Sequence, residues 1–432
     1  MESLLRGMSV TLAFIILMFG FLVNLAAAIA LDECLVPCNE IVSGGPPKDG
    51  IPAIDSPKFI SVQEFEALYN IGYLNELYVV GTVVKGVSRA YPRDILNWHE
   101  ICNDEIYGSP FSVTFCPLTG SAIAYDTTSI GGSTLGTTGR LYENNLVFYT
   151  RTTDDWYSQM LSVIIVGESL GKSLPIIPVV ETTWQSWKAL HPDTQVLSRE
   201  TGYLRRYDDT PYPGYRNLES IWFPTTYSIS AAPFNLYHQK DLTLVLNIDS
   251  TTFLYPYFEL SKSPVVNHQQ NGSDTSIVVV YDSSNNLAIP FNTSIDSPLV
   301  VEPLLTFSQA NKADYDNSDT MDLPVFRDKQ TGSLWNFNGV AFRGPLEGMR
   351  LSQVPAYSAF WFAATSFYSD VTVFRSESYF QFDGPIENFS TADDLTGENM
   401  FNTPGLSLIS AIPGLVLSVI LRELKKRKHQ KE

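Results

Sequence analysis

The residues of this chain that could carry out chemistry are concentrated between positions 99 and 116. His99, Glu100, Asn103 and Asp104 lie close together in the sequence, and Cys116 follows shortly after them. An imidazole and a thiolate suit copper and zinc, so His99 and Cys116 could bind either metal, with a carboxylate or a water completing the shell. The pair could instead act as a nucleophile and its base, because a nearby histidine stabilises a thiolate. Both could also be structural, with Cys116 packed at a strand end and His99 hydrogen-bonded in a turn.

Established catalytic and cofactor-binding motifs are missing from the sequence. His99 and Glu100 begin like a zinc-protease motif, but Asn103 stands where the second histidine belongs. The glycines at residues 131–139 lack the spacing of a phosphate-binding loop, and there is no Gly-x-Ser-x-Gly elbow. Catalytic residues are therefore unassigned, with Cys116 and His99 as the candidates. The other polar candidates for a site are Glu100, Asn103, Asp104 and Thr119.

Composition and charge limit the class of protein. The 432 residues are 44% hydrophobic and 17% charged, which excludes a disordered chain and favours two or three domains. Aromatic residues make up 12%, which favours strands over helical bundles. Lys and Arg number 28 against 46 Asp and Glu, for a net charge of −18. We therefore expect no nucleic-acid partner.

Both ends carry apolar segments with targeting features. Residues 1–30 combine a short basic start, an apolar run and alanine-rich cleavage positions, which predict a signal peptide; an uncleaved anchor is the alternative. Residues 404–421 are apolar and precede a basic tail at 422–432, which predicts a transmembrane helix with a cytoplasmic tail. A buried helix and a cleaved archaeal sorting signal are the alternatives. These features predict a cell-surface protein anchored in the plasma membrane by its C-terminus.

An internal repeat organises the rest of the chain. Gly167, Pro178 and Trp184 recur 177 residues later, and Tyr91 and Asn103 recur 164 residues later. The predicted fold is α+β and predominantly β, with two homologous β-rich domains, each ending in a helix. The predicted boundaries are an N-terminal extended segment at 31–76, repeat 1 at 77–205, a linker at 206–240, repeat 2 at 241–376 and a stalk at 377–403.

Hydrophobic alternation and capping residues predict the individual elements. Ser61 with Glu64 forms a capping box for a helix ending at Leu68, and Thr182 with Gln185 forms one for the helix of repeat 1. The helix of repeat 2 is predicted at 358–367. Strands are predicted at 77–84, 111–115, 122–125, 146–150, 242–248, 252–258, 277–281 and 287–291.

The repeat distinguishes a reactive first copy from a plainer second one. His99 corresponds to Ser263, Cys102 to Val266 and Cys116 to Asp282 at offsets of 164 to 166. One surviving site and simple drift both explain this difference, and Cys102 is predicted to be a core residue. The four cysteines allow three pairings. Cys34 could pair with Cys38 across a turn, and Cys102 with Cys116 across a hairpin.

Several blocks resemble the family named domain of unknown function 3179. They lie at residues 43–55, 90–92, 97–104, 115–126, 141–146 and 184–194. The resemblance implies an exported bacterial or archaeal protein and brings no activity with it. Many relatives have a second cysteine in the Cys-Pro-Leu segment, where this chain has Thr119, and this difference weakens a two-thiol mechanism.

These observations lead us to expect a membrane-anchored extracellular binding protein with a copper or zinc site at His99 and Cys116. A thiol-dependent enzyme that uses Cys116 with His99 is one alternative. A structural module that binds a glycan or a protein through exposed aromatic residues beside carboxylates is another. Sequons at Asn271, Asn292 and Asn388 agree with export.

Overall fold

A computed structural model of the chain describes residues 34–226, 234–249, 251–269, 276–300, 304–315, 323–368, 370–375 and 378–383. Across these residues the fold is predominantly β with a few short helices, as the sequence predicts. The predicted signal peptide at 1–30 and membrane segment at 404–421 lie outside the described residues. Of the helices that are described, none combines the length and the apolar character needed to cross a membrane.

The first half of the chain contains three sheets. The strands of sheet 1, in spatial order, are β13 (Val179–Thr183), β3 (Tyr78–Val84), β4 (Val87–Pro92), β14 (Gln195–Leu197) and β2 (Phe59–Ile60). Those of sheet 2 are β12 (Ile176–Ile177), β7 (Ser121–Asp126), β6 (Ser109–Cys116) and β5 (Ile101–Ile106). Those of sheet 3 are β1 (Ile41–Ser43), β8 (Leu135–Tyr142), β9 (Asn145–Thr150), β10 (Trp156–Ser158) and β11 (Val163–Val166).

The second half also contains three sheets. The strands of sheet 4, in spatial order, are β25 (Tyr357–Phe360), β15 (Leu242–Ile248), β16 (Thr251–Pro256), β26 (Asp370–Arg375) and β27 (Ser378–Asp383). Those of sheet 5 are β24 (Ser352–Gln353), β19 (Leu287–Asn292), β18 (Ser276–Asp282) and β17 (Val265–Gln269). Those of sheet 6 are β20 (Phe307–Gln309), β21 (Phe326–Asp328), β22 (Leu334–Trp335) and β23 (Ala341–Arg343).

The two halves share one strand order. In sheets 1 and 4 the first strand pair and the second are antiparallel, and the third pair, β4–β14 or β16–β26, is parallel. In sheet 1 Val180 lies opposite Gly81. In sheet 4 Tyr357 lies opposite Val245. Tyr357 follows Val180 by 177 positions in the sequence, and Val245 follows Gly81 by 164. The offsets found in the sequence therefore connect residues at matching places in the sheets.

Six α-helices are described: α1 (Val62–Ala67), α2 (Ile71–Glu76), α3 (Arg93–His99), α4 (Trp184–Leu190), α5 (Tyr257–Lys262) and α6 (Trp361–Phe367). The capping box of Ser61 and Glu64 is present. At α4 the predicted cap is wrong by one residue, because the side chain of Thr183 accepts the backbone N–H of Ser186. The Thr182 hydroxyl instead donates to the carbonyl of Asn285.

Two further predictions of elements need correction. Residues 358–360, predicted as helix, belong to β25, because pairing with β15 outweighs their helical pattern. Residues 257–258, predicted as strand, begin α5. In addition, neither half ends at its helix: β14 and β26 follow α4 and α6 and pair in parallel with β4 and β16.

Two of the hydrophobic clusters contain residues from both halves of the chain. One cluster combines residues of sheets 2 and 3 with α6 and sheet 4, for example Tyr125 with Trp361. Another combines sheet 1 and α4 with sheets 5 and 6, for example Trp187 with Phe291. Between β13 and β25, the Ser358 hydroxyl donates to the Glu181 carboxylate at 3.4 Å, and these two positions are 177 residues apart in the sequence. Each half therefore packs its first sheet and its helix against the other half.

Candidate functional site

His99 ends α3 and is completely buried. Its Nδ1 lies 2.7 Å from the carbonyl of Pro52 and its Nε2 lies 2.7 Å from the hydroxyl of Tyr207. A carbonyl only accepts, so Nδ1 carries the proton and the lone pair of Nε2 accepts from Tyr207. Burial lowers the pKa of His99, despite the opposing bond to Pro52, and keeps the ring neutral. Both ring nitrogens are therefore engaged in structural bonds.

Asn103 is a structural clamp. Its amide donates to Asp55 at 2.7 Å and to the Leu135 carbonyl at 3.0 Å. Its oxygen accepts from the Ser112 hydroxyl at 2.6 Å and from the Leu135 N–H at 2.9 Å. All four bonds of this buried side chain tie β5 to neighbouring segments. Asn267, its match in the second half, makes the same two backbone bonds to Phe307.

Asp104 is held by neighbours from β4. It accepts the Tyr91 hydroxyl at 2.7 Å and lies 3.8 Å from the Arg89 side chain. Burial raises the pKa of Asp104 above its usual value. Asp104 and Asn103 border a cavity of about 360 Å³, but their polar atoms are directed to protein partners.

Cys116 ends β6 and is buried as a free thiol, as is Cys102, whereas Cys34 and Cys38 form a disulfide. The Cys116 sulfur lies 3.7 Å from the carbonyl of Asn144. Burial, with a further contribution from Glu100, raises the pKa of the Cys116 thiol to about 11. The thiolate that nucleophilic catalysis or metal binding requires is therefore disfavoured.

Thr119 belongs to a closed polar network beside this thiol. Its hydroxyl lies 2.9 Å from that of Ser121 and accepts from the Asn145 amide at 2.9 Å. Gln159 completes the network with bonds to Ser121 and Thr114. These side chains are buried and satisfy one another, so the network is structural.

The structure groups Glu100 with Cys116, and it leaves His99 with other partners. Glu100 has a left-handed backbone conformation, φ 57°, at the end of α3. The Tyr212 hydroxyl donates to its carboxylate at 2.8 Å. Burial raises the pKa of Glu100 to about 7, although the bond to Tyr212 acts in the opposite direction. Glu100 is thus a carboxyl group that titrates near neutrality inside the protein.

The segment predicted to be a linker covers this pair. The Tyr215 hydroxyl donates to the Leu118 carbonyl at 3.0 Å. Lys240 donates to the carbonyls of Tyr215, Leu218 and Ser220, at 2.5, 2.7 and 2.9 Å. Residues 212–226 are thereby fixed over Glu100 and Cys116. Within the described residues, no group of three His, Cys, Asp or Glu side chains is arranged to hold a metal ion.

A larger concave site lies elsewhere, between the two halves. A cavity of about 810 Å³, which we call the α4 cleft, lies between β13 and α4 on one side and β19 with the segment before β24 on the other. Its walls combine apolar side chains, among them Val180, Leu190, Ile289, Phe291 and Phe337, with a comparable share of polar groups. Its charged or titratable lining residues are His191, Asp193 and Arg350.

One wall of the α4 cleft depends on a glycine. A Cβ atom at Gly81 would lie 2.3 to 2.5 Å from ring atoms of Trp187, so only glycine lets this indole rest on β3. The Trp187 N–H donates to Thr194 at 2.9 Å, which fixes the ring. In the second half, Val245 matches Gly81 and Ala364 matches Trp187, so the larger side chain there is on the strand and the smaller one is on the helix.

The matching place beside α6, which also lies between the two halves and which we call the α6 counterpart, is filled by tyrosines. Tyr357 stands where Val180 stands, Tyr368 where His191 stands, and Tyr125 where Phe291 stands. The hydroxyls of Tyr357 and Tyr368 lie 2.7 Å apart, and that of Tyr368 donates to the Met160 carbonyl at 2.8 Å. All three rings are buried. The same architecture therefore leaves one place open and closes the other.

Sequence reasoning did not identify the residues of the α4 cleft. The useful signal was the same 177-residue offset, which sets His191 against Tyr368 and Val180 against Tyr357. Attention to reactive residue types favoured His99 and Cys116 instead.

Comparisons with known proteins agree with the resemblance noted in the sequence. No curated protein and no solved structure matches this chain. A family model described as "Protein of unknown function (DUF3179)" matches residues 48–371, and this range includes the three sheets of the first half apart from β1, and most of the second half. The chain therefore belongs to the DUF3179 family.

Proposed function

We propose that this protein is a binding protein whose ligand is a small molecule held in the α4 cleft. The observation that carries the proposal is the contrast between the α4 cleft and the α6 counterpart. Three buried tyrosines fill the α6 counterpart. Side chains can therefore fill this position in the fold, but at the α4 cleft it is left open. A concave cavity of about 810 Å³ with both apolar and polar walls is also of the size that small-molecule sites have.

We also propose that the two halves of the protein arose by an internal duplication. Supporting observations are the shared strand order of the two halves, the offsets that connect matching register pairs, and the clamps formed by Asn103 and Asn267. Duplication creates two related clefts at once. Divergence could then fill one cleft and adapt the other to a ligand, while the common framework stays in place.

Export and anchoring belong to the same proposal. The supporting features are the signal-peptide pattern at 1–30 and the apolar segment with its basic tail at 404–432. The disulfide between Cys34 and Cys38 agrees with an oxidising compartment. The α4 cleft would then take its ligand from outside the cell.

A thiol enzyme and a copper or zinc site have less support than a binding protein. The thiol of Cys116 is neutral, and both ring nitrogens of His99 already have hydrogen-bond partners. A metal at this pair would have to replace the bonds of His99 to Pro52 and Tyr207. The copper or zinc proposal remains testable by metal analysis of protein purified without chelators.

The test fills the α4 cleft with the residues of the α6 counterpart. The double variant Val180→Tyr with His191→Tyr is compared with the wild-type chain in titrations with the neutral dye N-phenyl-1-naphthylamine, followed by fluorescence. We expect saturable binding to the wild type and a loss of about tenfold or more in affinity in the double variant. Leu204→Tyr, at a fully exposed position, is the control and should bind the dye as the wild type does. Equal binding by all three proteins, or none, would refute the cleft as the ligand site.

A further inference from the structure

The charged groups of the α4 cleft indicate what kind of molecule it takes. Arg350 donates one hydrogen bond, from Nη1 to the carbonyl of Asn338 at 3.3 Å. Among the described residues no carboxylate lies within ion-pair distance of it, although acidic residues outnumber basic ones in the chain. An exposed guanidinium that is not paired with an acid, in the lining of a cavity, can bind an anionic group.

His191, which directly follows α4, lines the opposite wall of the cleft from Arg350. Its ring packs against Trp187, with centroids 4.1 Å apart, and in the described part of the chain neither ring nitrogen has a hydrogen-bond partner. A neutral imidazole still offers one N–H donor. Arg350 is near enough for its charge to act on this ring. The two side chains therefore line one cavity and are close enough to interact electrostatically, and each can donate a hydrogen bond.

Neither group has a charged match in the α6 counterpart. The 177-residue offset sets Ser173 against Arg350 and Tyr368 against His191. The counterpart, which is filled, lacks the cationic side chain, and the open cleft has it. The positive charge and the open volume thus occur together.

This inference rests on the proposed function, and it specifies the ligand. We propose that the α4 cleft binds an amphipathic monocarboxylate, whose carboxylate lies between Arg350 and His191 and whose apolar body lies against Val180, Leu190 and Phe337. Asp193, the remaining charged lining residue, is exposed and opposes an anion weakly. Burial and the charge of Arg350 lower the pKa of His191 to about 4. A bound carboxylate favours the protonated ring, so binding takes up a proton and the affinity rises as the pH falls toward 5.

A matched pair of probes tests the charge separately from the shape. Calorimetric titrations at pH 7.5 compare 2-naphthoate with 2-naphthamide, which has the same shape and no charge. We expect the wild type to bind the carboxylate about tenfold more tightly than the amide. Arg350→Gln should remove this preference without changing amide binding, and His191→Asn should remove the increase in affinity between pH 7.5 and pH 5. Arg327→Gln, whose arginine is already paired with Asp314, is the control.

The outcomes separate the inference from the proposed function. Equal binding of both probes, with no effect of Arg350→Gln, would overturn the carboxylate assignment and leave a neutral apolar ligand in the cleft. Tighter binding of the amine 2-naphthylmethylamine would overturn it as well. Failure of both probes to bind, combined with an unaltered dye titration in the filled double variant, would refute the proposed function itself.

Discussion

The buried carboxyl of Glu100 should make the stability of the protein depend on pH in a way that one substitution removes. In the folded chain its pKa is raised to about 7 by burial, against an ordinary value of 4.5. Below pH 4.5 the group is protonated in both the folded and the unfolded state, and it has no effect on the pH dependence. Between pH 4.5 and about 7 the unfolded state releases the proton while the folded state keeps it. The free energy of unfolding therefore falls across this window and levels off above it.

The size of the effect follows from the same two values. The interval from 4.5 to about 7, at about 1.36 kcal/mol for each pH unit, corresponds to about 3 kcal/mol. Glu100→Gln keeps the shape and stays neutral. The variant should therefore be about as stable as the wild type at pH 4.5 and more stable by up to about 3 kcal/mol at pH 8.

Urea denaturation of the purified chain at several pH values, followed by fluorescence and circular dichroism, measures this difference. Because other groups titrate identically in both proteins, the difference between them isolates Glu100. Tyr212→Phe removes the hydrogen bond that favours the ionised carboxylate, so it should move the transition to higher pH. Glu76→Gln, at an exposed position, is the control for the loss of one carboxyl group. A stability gap between Glu100→Gln and wild type that is the same at pH 4.5 and pH 8 would show that Glu100 is not a buried titrating group.

The remaining predictions concern the other residues that the sequence singled out. Asn103→Ala leaves the N–H and the carbonyl of Leu135 without partners in a buried place, and it should cost about 2–5 kcal/mol of unfolding free energy in urea titrations. Asn267→Ala removes the matching bonds at an exposed position and should cost less than about 1 kcal/mol; equal losses would contradict the clamp. In a Cys102→Val background, the thiol of Cys116 should react with iodoacetamide at pH 8 about 100-fold more slowly than free cysteine. A rate like that of free cysteine would revive Cys116 as a nucleophile.

Strands were predictable where one local pattern decided them. The alternation in residues 242–248 and 287–291 corresponds closely to β15 and β19, because each strand packs a face into a hydrophobic cluster. The turn at 283–286 follows from asparagine, and Asn286 has a φ of 51°. Boundaries failed where pairing with a distant strand outweighed the local pattern, as at β25, whose aromatic residues suit a helix face and a strand equally.

The chemistry of the predicted site depended on contacts that local patterns do not contain. His99 was a reasonable candidate by residue type, but its partners come from Pro52 and Tyr207, far away in the sequence. The partner of Glu100, Tyr212, lies 112 residues away, in a segment that the sequence identifies only as a linker. Residue type alone thus indicated which side chains are unusual, and long-range packing decided what each of them does.

The packing of the α6 counterpart explains how the fold stays stable although the α4 cleft is open. Fully burying an aromatic side chain stabilises a protein by about 1.5–3 kcal/mol, so the three tyrosines of the α6 counterpart fasten the halves together by several kcal/mol. Their hydroxyls are bonded to one another and to backbone carbonyls, so the closure carries little cost in unsatisfied polar groups. With one place closed in this way, the other does not have to be packed for the halves to stay joined. An open cleft between halves that are joined in this way is then pre-formed, so a ligand that enters it does not have to order the walls of its own site.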